Sequence, residues 1–174
     1  MLKNSKKTSL QETLLYNNIL SLSRNELFFT KFDLADTFQN RIYLIFIHIS
    51  FLFTKLKSDN QKVAYKIFYQ KVFDLIFNRI ELNMREIGYG DTVINKNMKF
   101  LVKSFYNILL YCENFNDSSQ NARKMFFLKY LTQNNAKKKA DNTPLIEYFA
   151  KYQAFCFDLS FDSVLKGKLN FKYR

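Results

Sequence analysis

Three glycines and one proline in 174 residues leave this chain few places to turn sharply. Sandwiches, barrels and nucleotide-binding α/β folds depend on tight turns and glycine-rich loops. The scarcity excludes them and points to long helices. With 48% apolar residues the chain can bury a large core, so wholesale disorder is excluded. The length favours one domain. Two cysteines, Cys112 and Cys156, are too few for a disulfide scaffold or a CxxC zinc module and fit a reducing compartment.

Apolar spacing is helical nearly throughout. A first helix is expected over Leu10–Ser23, followed by an aperiodic stretch from Arg24 to Ala35. Asp36, with Gln39 three residues on, reads as a capping box opening a second helix to about Lys57. Asp59 is expected to cap a third helix that runs to Ile87 and ends at Gly88. A fourth helix, from about Asn95 to Phe115, carries the stripe Met98, Leu101, Val102, Phe105, Ile108, Leu109 and Cys112 opposite Lys96, Lys99 and Lys103. A fifth covers Ser119–Thr132, and Gln133–Asn142 reads as an exposed loop. Thr143 as N-cap with Pro144 at the first helical position opens a sixth, to Asp158, and a last helical turn is expected near Ser163–Lys166. The expected architecture is all-α, one compact bundle of about six helices with no repeat.

Lys and Arg total 27 against 15 Asp and Glu, a net charge of +12. Part of this excess follows from a composition rich in Lys, Asn, Ile, Phe and Tyr, as AT-rich coding imposes, so its sign informs more than its size. The sign favours anionic partners such as headgroups or nucleic acid. The start, Met1–Leu10, has lysines but no apolar core of a signal sequence. The most apolar run, Ile42–Phe53, is bounded by Arg41 and Lys55 and falls short of the ~20 residues of a spanning helix. Any vesicle binding is therefore expected to be electrostatic and salt-sensitive.

Few residues suggest chemistry. His48 is the one histidine, and with Arg41 and Lys55 it shares a helix face at steps of seven. Without a neighbouring Cys or His it makes a poor metal site, and the simpler reading is a polar seam on an apolar helix. That helix is apolar all round, with Phe38, Ile42, Ile45, Ile49 and Leu52 on one side and Tyr43, Phe46, Ile47 and Phe53 on others. This pattern marks a central helix. The densest polar cluster is Arg85-Glu86-Ile87-Gly88-Tyr89-Gly90-Asp91. As a phosphate loop it lacks both a third glycine and a preceding strand. As a helix corner it explains Gly88, Gly90 and Asp91, with Gly88 at positive φ, but leaves Arg85, Glu86 and Tyr89 unexplained.

The same cluster carries a family resemblance. Phe73-Asp74 with Phe77, the Arg85–Asp91 segment, then Val93, Lys96, Met98-Lys99 and Phe105-Tyr106, resembles the ubiquinol–cytochrome c chaperone family. Upstream, Asp36-Thr37-Phe38 with Arg41 and His48 looks like the family's Asp-Thr-Phe…Arg…His helix. Ala35 stands where Pro is expected, which implies a looser turn. Leu165-Lys166-Gly167 looks like its closing Leu-x-Gly segment. The resemblance spans about Phe32 to Leu169 and divides the chain into an N-terminal helix and connector (1–31) and a family-like region (32–170) within one structural domain.

The resemblance implies a non-enzymatic assembly factor for the cytochrome bc complex (complex III) that holds newly made cytochrome b or another subunit. It implies no catalytic residue, cofactor, metal or small-molecule substrate. Candidate partner-binding residues are Arg85, Glu86, Tyr89, Asp91, Lys96, Lys99, Arg41 and His48, with Gly88 and Gly90 as the structural turn; the alternative is that Arg85 and Glu86 tie the corner to neighbouring helices, for example to Asp36 or Lys96. The family's mitochondrial members act near the ribosomal exit, which implies a ribosome contact, and the basic charge favours peripheral contact with an anionic membrane. The start close to the family region favours a bacterial homologue, cytoplasmic or at the inner face of the cytoplasmic membrane, the eukaryotic equivalent being the mitochondrial matrix. The competing reading is a basic helical module for nucleic acid or the ribosome, using Lys96, Lys99, Lys103 and Lys137–Lys139 on phosphates.

Overall fold

The computed structural model describes residues 10–58, 62–134 and 142–173. Within them lie eight helical segments: α1 Leu10–Ser23, α2 Leu27–Thr30, α3 Phe38–Ser58, α4 Lys62–Ile87, α5 Asp91–Glu113, α6 Gln120–Tyr130, α7 Thr143–Asp158 and α8 Phe161–Leu165. Six are the helices expected from periodicity. The others are one or two turns each. Asp59 and Lys137–Lys139 lie outside the described residues.

The all-round apolarity of α3 has the expected consequence. Its Leu44, Phe46, Ile47, Ile49, Phe51, Leu52, Phe53 and Leu56 have no solvent exposure. α5, α1, α7 and α4 pack around it, α6 leans on α7, and α8 returns to α1. Much of the core is aromatic, with rings meeting edge-on as their quadrupoles favour. Phe46 meets Phe105 of α5 at 5.2 Å, Phe51 meets Phe115 at 5.2 Å, and Phe28 of α2 meets Tyr148 of α7 at 4.9 Å. No helix among the described residues is long and apolar enough to cross a membrane.

Three helix starts differ from expectation. Thr37, not Asp36, caps α3: its Oγ1 accepts the Asn40 N–H at 3.2 Å, and Asp36 is drawn away by Arg41. α5 begins at Asp91, four residues early, because extended Gly90 serves as its N-cap. α7 has Asn142 as N-cap, which places Thr143 inside the helix. The turn at Ala35 is tethered rather than loose. Its N–H donates to Thr132 O at 2.9 Å, a bond proline could not make. Beside it, buried Asn40 donates to Ala35 O and Thr132 O, both at 2.7 Å, and accepts from the Thr132 N–H at 2.9 Å. One asparagine thus joins the start of α3 to the strand-like exit of α6.

Candidate partner-binding site

The α4–α5 corner is built by backbone chemistry. Gly88 has φ +98°, its N–H donates to Arg85 O at 3.0 Å, and the Tyr89 N–H reaches Met84 O at 3.1 Å. This is the Schellman pair of bonds that closes a helix on a left-handed residue. Gly90 is different. Its φ of −74° suits any residue, and a Cβ there meets nothing within 4 Å. The corner geometry therefore requires Gly88 but does not require Gly90, contrary to the expectation that it explains both.

These conformations give opposite expected outcomes. Gly88→Val places a branched side chain at positive φ and is expected to cost about 1–2 kcal/mol or more. Gly90→Ser supplies a better N-cap and is expected to leave stability unchanged or raise it by about 0.5 kcal/mol. Thermal melts of the two variants check both.

Arg85 turns across the corner. One guanidinium nitrogen lies 2.9 Å from Glu81 and another 2.5 Å from Asp91, and the pairing raises its pKa. Arg85 therefore ties α4 to the start of α5 and does not reach Asp36 or Lys96. Asp91 accepts from this guanidinium instead of capping α5. Glu86, Lys96 and Lys99 are exposed, and among the described residues none has an ion-pair partner. Tyr89 is 45% exposed. It borders a recess of about 190 Å³ with Phe38 and Gln39 of α3, Met84 of α4, and Asn97, Phe100 and Leu101 of α5.

Arg41 lies apart from this turn. It holds Asp36 through two bonds of 2.7 and 2.9 Å, covers the Phe29 ring, and keeps the Asp36 carboxyl below its usual pKa. His48 leaves the candidate surface altogether, since it has no exposure. Its Nδ1 lies 2.6 Å from Leu44 O, which can only accept, so Nδ1 carries the proton. Nε2 then accepts from the Tyr148 hydroxyl at 2.9 Å. Burial lowers the His48 pKa to about 4, which keeps the ring neutral. The polar seam is thus an internal hydrogen-bonded chain, with Arg41 and Lys55 reaching outward on either side.

The expected site residues that cluster are Arg85, Glu86, Gly88, Tyr89, Gly90 and Asp91, with Lys96 and Lys99 one to two turns into α5. Phe100, 58% exposed at the edge of the recess, was not among them. It lies off the Met98–Leu101–Val102–Phe105 stripe, and an aromatic residue on the polar side of an amphipathic helix is the signal that marks it. Ile87 and Val93 are exposed on either side of the turn. Arginine and aromatic side chains framed by apolar surface are the usual anchors of protein interfaces.

Comparison with known proteins gives two matches. The model of the Ubiquinol-cytochrome C chaperone family matches residues 30–171. A crystal structure described as the Cbp3 homolog from Brucella abortus aligns with a TM-score of 0.80 over 95% of this chain and 91% of that one. At 20% sequence identity that likeness is one of fold. A comparison with curated protein sequences gives no match.

Proposed function

Because the chain belongs to the ubiquinol-cytochrome C chaperone family, we propose that it acts as a non-enzymatic assembly factor for complex III that holds newly made cytochrome b through the α4–α5 corner. The observation that carries this reading is the corner itself. It lies within the matched region, its backbone is fixed by Gly88, and it presents Tyr89 and Phe100 beside Lys96 and Lys99. An apolar client helix with anionic headgroups nearby calls for exposed aromatic surface with basic margins.

A non-enzymatic role is supported by where the reactive groups lie. His48 is neutral within the core, and burial pushes both the Cys112 and Cys156 thiols up, away from the reactive thiolate. A second reading, contact with the ribosome or RNA, draws on the exposed Lys96, Lys99 and Lys103. Affinity capture of the tagged protein from its own cells separates the two. Recovery of cytochrome b is expected. Recovery of ribosomal RNA and proteins without cytochrome b would favour the second reading.

A further inference from the structure

The most exposed apolar side chains of α5 and α6 lie next to cations that form no ion pair among the described residues. On α5, Val93, Lys96, Phe100, Lys103, Asn107 and Leu110 follow one another at steps of three and four, so one stripe interleaves three apolar residues with two lysines and an amide. α6 runs beside it, joined by the stacked rings of Tyr111 and Phe126 at 4.0 Å. Between the helices lies an open groove of about 710 Å³. Leu110 and Met125, 61% and 57% exposed, form its apolar walls, and Asn107, Asn114 and Lys129 supply its polar lining.

The charge on this face has one sign. Between Thr92 and Cys112, and throughout α6, there is no Asp or Glu. The acids at the two ends of α5 are already paired, Asp91 with Arg85 and Glu113 with Lys57. Among the described residues Lys96, Lys99, Lys103, Lys124 and Lys129 have no ion pair.

We propose that the α5–α6 face seats this protein on an anionic phospholipid surface, with the ammonium groups of Lys103, Lys124 and Lys129 at headgroup phosphates and Leu110 and Met125 in the apolar margin beneath. Interleaved lysine and apolar residues suit a lipid boundary, where the long side chain reaches up to the headgroup while its neighbour settles lower. Protein interfaces instead deplete lysine. Binding is therefore not a property of net charge alone: it has a location and an apolar component. The inference rests on this face and not on the assembly reading.

The test is binding of the full chain to phosphatidylcholine vesicles with and without phosphatidylglycerol, using variants that leave the α4–α5 corner intact. The wild-type chain is expected to bind the anionic vesicles only, and more weakly as salt rises. Lys103→Glu/Lys129→Glu is expected to weaken that binding by about tenfold or more. Lys168→Glu/Lys172→Glu makes the same charge change at two exposed positions of the C-terminal segment, and is expected to weaken it by less than about threefold. Leu110→Ser/Met125→Ser, at unchanged charge, is expected to weaken it by about tenfold. Equal losses for the two charge variants would overturn the proposal in favour of net charge. An unaffected Leu110→Ser/Met125→Ser variant would remove the apolar component and overturn it too. No binding at low salt would overturn it and leave the face to a protein partner.

Discussion

Gly167→Val is expected to lower the melting temperature by about 10 °C, the loss of about 3 kcal/mol or more at this chain length. Two costs combine. Gly167 closes α8 at φ +69°, where a branched residue is strained. An added Cβ would also lie 3.0 Å from Gln11 O and Leu15 N, both backbone atoms of α1, and 3.1 Å from Leu14 Cβ. Backbone inside a packed helix cannot yield as a flexible side chain can. α1 must give by a few tenths of an ångström, which strains the 2.6 Å bond from Asn18 Nδ2 to Gly167 O. A drop of less than about 2 °C in a thermal melt would show that α1 does not rest on this glycine.

Acidification is expected to unfold the protein partly through His48. In the unfolded chain its pKa is near 6.5, and in the folded chain it falls to about 4. Below pH 6.5 the unfolded state therefore binds a proton that the folded state excludes. The His48 contribution is complete above pH 6.5, and is lost as pH falls towards 4. Its full size is about 3 kcal/mol. The ring is enclosed by Phe28, Tyr148, Phe149 and Tyr152, with no carboxylate in that aromatic cluster to stabilise an imidazolium. Urea unfolding of wild type and His48→Gln between pH 7 and 4 isolates the effect, because the carboxylates titrate alike in both. Wild type should lose about 3 kcal/mol more than the variant. Parallel pH profiles would mean that His48 can charge without cost.

Both effects depend on contacts that local sequence pattern reaches unevenly. Periodicity exposed every helix of eleven residues or more, because burial of one face is written at steps of three and four. It missed α2, whose four residues make no pattern. It also started α5 late, since Thr92 and Val93 lie outside the buried stripe. Steps of seven correctly placed Arg41, His48 and Lys55 on one side of α3. Spacing along one helix does not reveal what packs against it, however, and Tyr148, a hundred residues away, turns the middle member into core. Asn40 was missed for the same reason, its partner Thr132 being 92 residues distant.

The candidate site was more legible because it is local. Gly88, Tyr89 and Asp91 occupy one turn, and the helix-ending role of Gly88 follows from the absence of a side chain. The pairing of Arg85 with Asp91 was hidden because it crosses that turn, and only the folded corner brings residues six apart within reach.

The most direct test of the central claim is cytochrome b abundance in cells whose own gene carries Arg85→Ala or Tyr89→Ala, set beside the melting temperatures of the purified variants. Both side chains are substantially exposed, and the ion pairs of Arg85 lie at the surface, where such pairs add little stability. If the corner holds the client, cytochrome b is lost while each melting temperature stays within about 2 °C of wild type. Cytochrome b at wild-type abundance in both strains, or lost only in step with a falling melting temperature, would contradict it.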